Sequence, residues 1–473
     1  MRTLPLLCSA SPETIVARRG SEAISAERFL RQAQRIAALL PPDGELLNLC
    51  ADRHHFGIAL AAGLLAGRCT LLPPTQAPEV LRQLQALGRP LVALGDASAA
   101  PAALLEHGCH WLNVGAHISA LPEQEASEPG ERAAWPVPQV DAERTAVVIF
   151  TSGSTGAPVP HAKSFGQLVA AARVQISRLP ANDAGAGYAL LGTVPPQHMF
   201  GLEATVILPL QSGGVLCAER PFFPADIAAA LSRLPRPRAL VSTPVHLRAV
   251  LDSCVSMPAV DLVLCATAPL SQSLAREVEA RCHAPLLEIF GSTETGQIAS
   301  RRTAHERLWC LYPDVRLWQM QQRWWAQGGH VEAATLLADM LEPTDETHFI
   351  LHGRSADLVN VAGKRSSLSH LSQQLLAIPG VLDGAFFPAE QLRSGPRAAS
   401  LTGVSRLAAV AVAPQLTRAQ ILTALRERID AVFLPRPLWL VERLPRNDTG
   451  KLPYEALRGL AAQLSGRRSG STV

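Results

Sequence analysis

Lysine is almost missing from this 473-residue chain: of its 43 Lys and Arg side chains, only Lys163, Lys364 and Lys451 are lysine. A chain this biased toward arginine keeps lysine where a compact ammonium must approach one oxygen closely, because a planar guanidinium is no substitute there. Cys-x-x-Cys pairs are absent. The nine cysteines are odd in number, with no histidines clustered at ligand spacing, which argues against a disulfide framework or a zinc ribbon. Buried reduced thiols in a cytoplasmic protein are expected instead. No run of about 18 uninterrupted apolar residues occurs, so no membrane span is expected. The start, Met1 to Cys8, is broken by Pro5 and too short for a signal h-region. The net charge of +3 gives no reason to expect nucleic acid or an anionic membrane as partner. A Gly-x-Ser-x-Gly elbow is lacking, which disfavours serine-hydrolase chemistry.

What is present describes a globular protein with ample core: 48% of residues are apolar and 18% charged. The length predicts two or three domains. From about residue 55, helical and strand-like segments alternate. Helices are expected over 56–66, 78–87, 164–178, 201–210, 225–234, 245–253 and 272–282. Strands are expected over 68–72, 90–94, 145–150, 188–194, 214–218, 239–242, 261–265 and 286–290. Short apolar strands between helices imply an α/β fold, with largely parallel sheets covered on both faces. Residues 120–140, rich in Pro, Glu and Ser, read as a surface connector. Trp318, Trp324 and Trp325 read as packing or surface residues.

After Gly353 the rhythm changes. Strands at 357–361, 381–387, 407–413 and 438–442, with helices at 367–377, 417–432 and 454–465, make a small α+β unit. The expected organisation is therefore a large N-terminal domain, residues 1–353, of mixed and parallel sheets. A small mobile domain, residues 354–473, follows.

Four segments carry the chemistry. Thr151-Ser152-Gly153-Ser154-Thr155-Gly156 follows an apolar strand and precedes a helix. Its glycines let backbone amides converge, and its hydroxyls add donors, an arrangement suited to polyphosphate. It is no Walker A loop, since the required Gly-Lys-Ser/Thr is missing. Phe290-Gly291-Ser292-Thr293-Glu294-Thr295 also follows a strand, placing a carboxylate where open α/β sheets bind ligands; a carboxylate beside phosphates is a natural magnesium ligand. The third runs from Gly353-Arg354 to Gly363-Lys364-Arg365, and the fourth is Leu444-Pro445-Arg446-Asn447-Asp448-Thr449-Gly450-Lys451. Singly, each is an ordinary turn.

In this order they resemble the core motifs of the adenylate-forming superfamily: acyl-CoA synthetases, aryl-CoA ligases, nonribosomal peptide adenylation domains and luciferases. Cys265-Ala266-Thr267-Ala268-Pro269-Leu270 resembles the adenine-contacting turn, and Pro196-Gln197-His198-Met199-Phe200-Gly201-Leu202 the region beside the acyl pocket. The resemblance implies that Thr151 to Gly156 wrap the β- and γ-phosphates of ATP. It implies that Thr293 contacts the α-phosphate and Glu294 holds Mg²⁺. Asp339 and Arg354 would bind the ribose, Ala268 the adenine, and Lys451 the reacting carboxylate and α-phosphate. His198, Phe200, Gly201 and Gly291 would line the acid-binding side. Val159 stands where the family carries a loop lysine, and Lys163, four residues on, is the candidate replacement from the start of the next helix.

The implied reaction is ATP-dependent formation of an acyl-adenylate, then transfer to a thiol of coenzyme A or of an acyl carrier protein's phosphopantetheine. Short for the superfamily, the chain resembles stand-alone bacterial acyl ligases, and its loop resembles those associated with aryl-polyene-like pigments, which points to an aromatic or hydroxyacyl substrate. Val159 leaves a second reading, a non-catalytic nucleotide-binding relative. Retained Glu294 and Lys451 weigh against it.

Overall fold

The short apolar runs pair into two large sheets. In the computed structural model, the described residues are 2–86, 90–106, 108–119, 136–152, 158–180, 187–354, 358–361, 364–389, 407–447 and 452–466. The expected connector at 120–140 lies mostly outside them, with Gln139–Asp141 forming a short strand.

One sheet has six strands, in the order Pro158–Ser164, Thr145–Ser152, Thr70–Leu72, Glu45–Asn48, Leu91–Gly95 and His110–Asn113. The last five are parallel, and Pro158–Ser164 runs antiparallel along the edge. The other sheet has eleven strands. Its parallel centre runs Leu286–Ser292, Leu262–Cys265, Arg238–Ser242, Ala189–Gly192, Val215–Cys217 and Ile15–Arg19. These strands are apolar almost throughout because both faces are covered.

The helix Arg53–Leu65 touches strands of both sheets and is buried on every side, so it has no polar face. Its first residue, Arg53, is a buried cation. It donates to the carbonyls of Cys217 and Glu219 through Nη1, and of Gly192 and Val194 through Nη2, at 2.7–3.0 Å. One side chain thus ties the ends of two strands to the central helix.

Residues 297–353 escaped the alternating pattern because they are antiparallel. Gly296–Arg301, Trp309–Leu311, His348–Arg354 and Asp339–Pro343 extend the large sheet beyond its parallel centre. Arg316–Met320, Arg323–Gly328 and Val331–Leu336 form a separate three-stranded sheet with much of its surface exposed, which dilutes the apolar signal. Trp318 and Trp325 are cross-strand partners there, stacked at 6.5 Å, a packing role.

Beyond residue 358 the strands Asp383–Pro388, Leu407–Val412 and Leu438–Leu440 form one small sheet. The helices Leu368–Leu376, Arg418–Arg426 and Tyr454–Gly466 accompany it, with apolar clusters drawn from this region alone. The helix expected over 417–432 ends at Arg426. Asp430 then caps a separate 3₁₀ turn by accepting from the Val432 amide. Among the described residues, no helix is long and apolar enough to cross a membrane. All nine cysteines are free.

Candidate active site

Thr293 and Glu294 sit on the turn between Leu286–Ser292 and Gly296–Arg301, two strands that pair as an antiparallel hairpin. The turn is held from within: the Ser292 amide donates to Thr295 Oγ1 at 3.1 Å, and the Thr295 amide to Ser292 Oγ at 3.3 Å. Thr295 is buried, which leaves Thr293 and Glu294 as the residues the turn presents outward. Gly291 is required by geometry, since a Cβ there would meet the Gly296 carbonyl oxygen at 2.1 Å. Gly296 is required by conformation, with φ at +71°.

The strands Thr145–Ser152 and Pro158–Ser164 pair on either side of the glycine-rich loop. Gly153, Ser154, Thr155 and Gly156 lie outside the described residues; Thr151 stands at its entry, opposite Val159. Along the returning strand, Val159, His161 and Lys163 alternate onto one face. His161 Nε2 lies 3.0 Å from Thr151 Oγ1 and 3.8 Å from the Glu294 carboxylate. Burial holds its imidazole below the ordinary range, with Glu294 opposing. Sequence reading missed His161. The signal available was two polar residues at period two inside an apolar hairpin.

Lys163 lies on this strand, one residue before Ser164, which caps the helix Phe165–Arg178; it is not on the helix itself. It is buried, and its Nζ donates to the backbone carbonyl of Glu294. Val159 is four residues back, roughly 13 Å along the strand. The cation therefore enters at the Thr-Glu turn, not at the position of the missing loop lysine.

A cleft of about 780 Å³ opens beside this turn. Gly291, Ala268 and Asp339 line it from the large sheet, and Asp383, Arg446 and Leu452 from the C-terminal region. Thr267, next to Ala268, holds φ at +82°, an outlier for a β-branched residue of the kind found at ligand sites. Asp339 and Arg354 are cross-strand partners. On the cleft wall, Arg301 bonds the buried Glu288 at 2.7 Å and lies over the Trp309 ring. Arg446 grips Asp383 through two hydrogen bonds of 2.7 and 2.8 Å. Lys451 lies outside the described residues, between the cleft-lining Arg446 and Leu452. Lys364, the remaining lysine, pairs at the surface with Asp430.

In the segment expected to border the acid, His198 is the N-cap of a helical stretch running through Met199–Leu202, a π turn at Glu203–Ile207 and Leu208–Ser212. Gly201 admits no side chain, because a Cβ would lie 1.9 Å from the Pro195 carbonyl oxygen. Phe200 is half-buried against a core cluster. Glu203, which sequence reading did not single out, is buried; desolvation pushes it up to about 7 against the opposing charge of Lys163.

Comparison with known proteins gives this geometry a family. A 4-coumarate–CoA ligase of Rhodobacter capsulatus is 32% identical over 239 residues, which are 50% of this chain and 59% of that protein. A 4-coumarate–CoA ligase of Halorhodospira halophila is 28% identical over 315 residues, 64% of this chain and 73% of that one. The match to the first of these thus spans less than two thirds of its length. ATP-bound MatB of Rhodopseudomonas palustris has the same fold at 18% identity, with a TM-score of 0.77 and 97% of both chains covered. The family model for AMP-binding enzymes matches residues 9–315, from the first strands of the large sheet to beyond the Thr-Glu turn, and the chain belongs to that family of adenylate-forming enzymes.

Proposed function

We propose that the protein is an AMP-forming acid–thiol ligase acting on an aromatic carboxylic acid. The observation that carries this reading is one cleft lined by Ala268, Gly291 and Asp339 from the large sheet and by Arg446 and Leu452 from the C-terminal region. These belong to four separate segments, and Ala268 and Gly291 stand at the carboxyl ends of parallel strands, where open α/β sheets take ligands. The names of the two similar ligases support coenzyme A as the thiol and an aromatic acid as substrate. A carrier-protein phosphopantetheine presents the same reactive end, and a hydroxyacyl substrate or a role in aryl-polyene-like pigment synthesis is the narrower form of the proposal.

In the first step the carboxylate oxygen bonds to the α-phosphorus of ATP and pyrophosphate leaves, giving the acyl-adenylate. In the second a thiol attacks the acyl carbon, its proton is lost, and AMP leaves with the C–O bond electrons. Thr151 to Gly156 cradle the phosphates through amides and hydroxyls. Ala268 borders the adenine, and Asp339 with Arg354 takes the ribose hydroxyls. Thr293 donates to the α-phosphate, and Lys451 neutralises charge gathering between carboxylate and phosphate. The exposed Glu294 carboxylate is a hard oxygen donor of the kind that fits Mg²⁺. That ion would supply charge neutralisation on the triphosphate. His198, Phe200 and Gly201 border the acid. The small domain, residues 354–473, would rotate about residues 354–357 against residues 1–353, withdrawing Lys451 between the steps.

The test is acid-dependent ATP–pyrophosphate exchange across aromatic, hydroxy and fatty acids, with Lys451→Ala beside the wild type. Exchange with one class, lost in the variant, is the expected result. Silence together with tight Mg-ATP binding would favour the second reading, a non-catalytic relative, which the exposed Val159 in place of the loop lysine supports.

A further inference from the structure

Two ionisable side chains, Lys163 and Glu203, are buried behind the Thr-Glu turn, 7% and 4% exposed. Burying charges is costly, so apolar residues of similar volume would serve a merely structural interior at least as well. Their contacts converge on the turn. Lys163 Nζ donates to the carbonyl of Glu294. Glu203 Oε1 has no hydrogen-bond partner and lies against Gly296, where a Cβ would come within 2.7 Å of it, and the backbone amide of the next residue, Gln297, holds the Glu203 carboxyl down against the effect of burial. The Lys163 ammonium also faces the charges of Glu203, Glu294 and Glu332. Gln297 is fixed in turn: its Nε2 donates to Gln175 at 3.0 Å, and its Oε1 accepts from the Tyr312 hydroxyl at 3.2 Å.

Three elements therefore meet at one buried point. They are the strand that leaves the phosphate loop, the helical stretch that begins at His198, and the turn that carries Thr293 and Glu294. Glu203 occupies the first residue of the π turn, a local widening often kept for function.

We infer that Lys163 and Glu203 are positioning residues that pin the Thr-Glu turn from beneath, so that Thr293 and Glu294 are held at the cleft. The inference rests on the roles proposed above for those two residues. Lys163 then acts through Glu294 and not as a phosphate ligand. The arrangement also couples the acid side to the nucleotide side, because displacing the Glu203 helix moves the floor of the turn.

The test uses the full chain carrying Lys163→Met together with Glu203→Gln, which removes both charges at nearly constant shape and leaves no buried charge unpaired. Thermal unfolding establishes that the variant folds. In the nucleotide-free protein, amides of residues 293–297 should exchange hydrogen about tenfold faster than in the wild type, while those of Leu262–Cys265 stay unchanged. Binding of a fluorescent ATP analogue should need about tenfold more Mg²⁺ for half-saturation, the loss of one hydrogen bond from a charged donor. Adding Glu294→Gln to the double variant should change that requirement no further than Glu294→Gln does alone. Unchanged exchange, or an unchanged magnesium requirement, would overturn the inference, as would additive losses, which mark Lys163 as a direct phosphate ligand. If Glu294→Gln by itself leaves the magnesium requirement unaltered, the reading of Glu294 fails separately, and the exchange rates alone then decide whether the turn is pinned.

Discussion

Asp339 and Arg354 stand directly opposite each other on the antiparallel strands Asp339–Pro343 and His348–Arg354. Fifteen residues apart in sequence, they are brought opposite each other by a hairpin, and Asp339 lines the cleft. Asp339→Ala should raise the KM for ATP about tenfold, the loss of one or two hydrogen bonds to a charged group, with kcat changed less. ATP–pyrophosphate exchange across an ATP titration measures both, and an unchanged KM would remove Asp339 from the nucleotide site.

Lys451→Ala should slow adenylate formation about a hundredfold or more, the usual cost of removing one preorganised donor to developing charge. Thioester formation from a supplied acyl-adenylate should fall far less if the domain rotation carries Lys451 away. Single-turnover measurements of the two half-reactions separate these outcomes. Equal losses would sink the two-conformation scheme.

Arg53 answers four backbone carbonyls, and burial pulls its guanidinium down to about 10, still charged at neutral pH. Arg53→Met should cost about 3 kcal/mol or more, since buried acceptors lose their donors. The shift of the denaturant midpoint at unchanged slope is the measurement. Arg53→Lys should recover only part of the loss, because a point ammonium cannot span four acceptors.

Stability should fall in mild acid through a buried histidine. His54 is 1% exposed and bonds Gln32 through Nε2 at 3.0 Å; burial, then neighbouring His55, pulls it down to about 3 from an ordinary 6.5. The unfolded chain thus binds a proton that the folded one refuses. Stability from this group is full above pH 6.5 and drains by up to about 1.4 kcal/mol per unit as pH falls toward 3. His330, pulled down to about 4 by burial, acts with the same sign. Melting temperatures from pH 7.5 to 4.5 should show the slope, and His54→Gln should flatten it.

Gly201→Ala should disturb acid binding more than nucleotide binding. Its Cβ would collide with the Pro195 carbonyl and push the segment carrying His198. Strain of about 1–3 kcal/mol is expected, with the KM for the acid rising and that for ATP nearly constant. Parallel changes in both would contradict the assignment of this segment.

The central helices and parallel strands were legible because burial on both faces leaves unmixed apolar runs: the helix expected over 272–282 is found at Gln272–Cys282. The antiparallel region after residue 296 was not, since strands such as Val331–Leu336 are largely exposed and carry little apolar periodicity. The Thr-Glu turn could be picked out from local chemistry, and Ala268 and Asp339, which line the cleft, from the family resemblance. His161 and Glu203 were missed, because neither lies in a motif and the Thr-Glu turn that each approaches is more than 90 positions away.

The sequence by itself determined the order of the motifs, the α/β class and the residue types that phosphate and carboxylate chemistry requires, all of which depend on neighbours within a few positions. Only the tertiary structure decided what Lys163 touches. A lysine four residues past a missing one reads as its replacement along the chain. In the fold, the strand's roughly 3.4 Å rise per residue carries it away from Val159 and sets it under the Glu294 carbonyl. A side chain's partner across the sheet is fixed by register and burial, and neither is written in spacing.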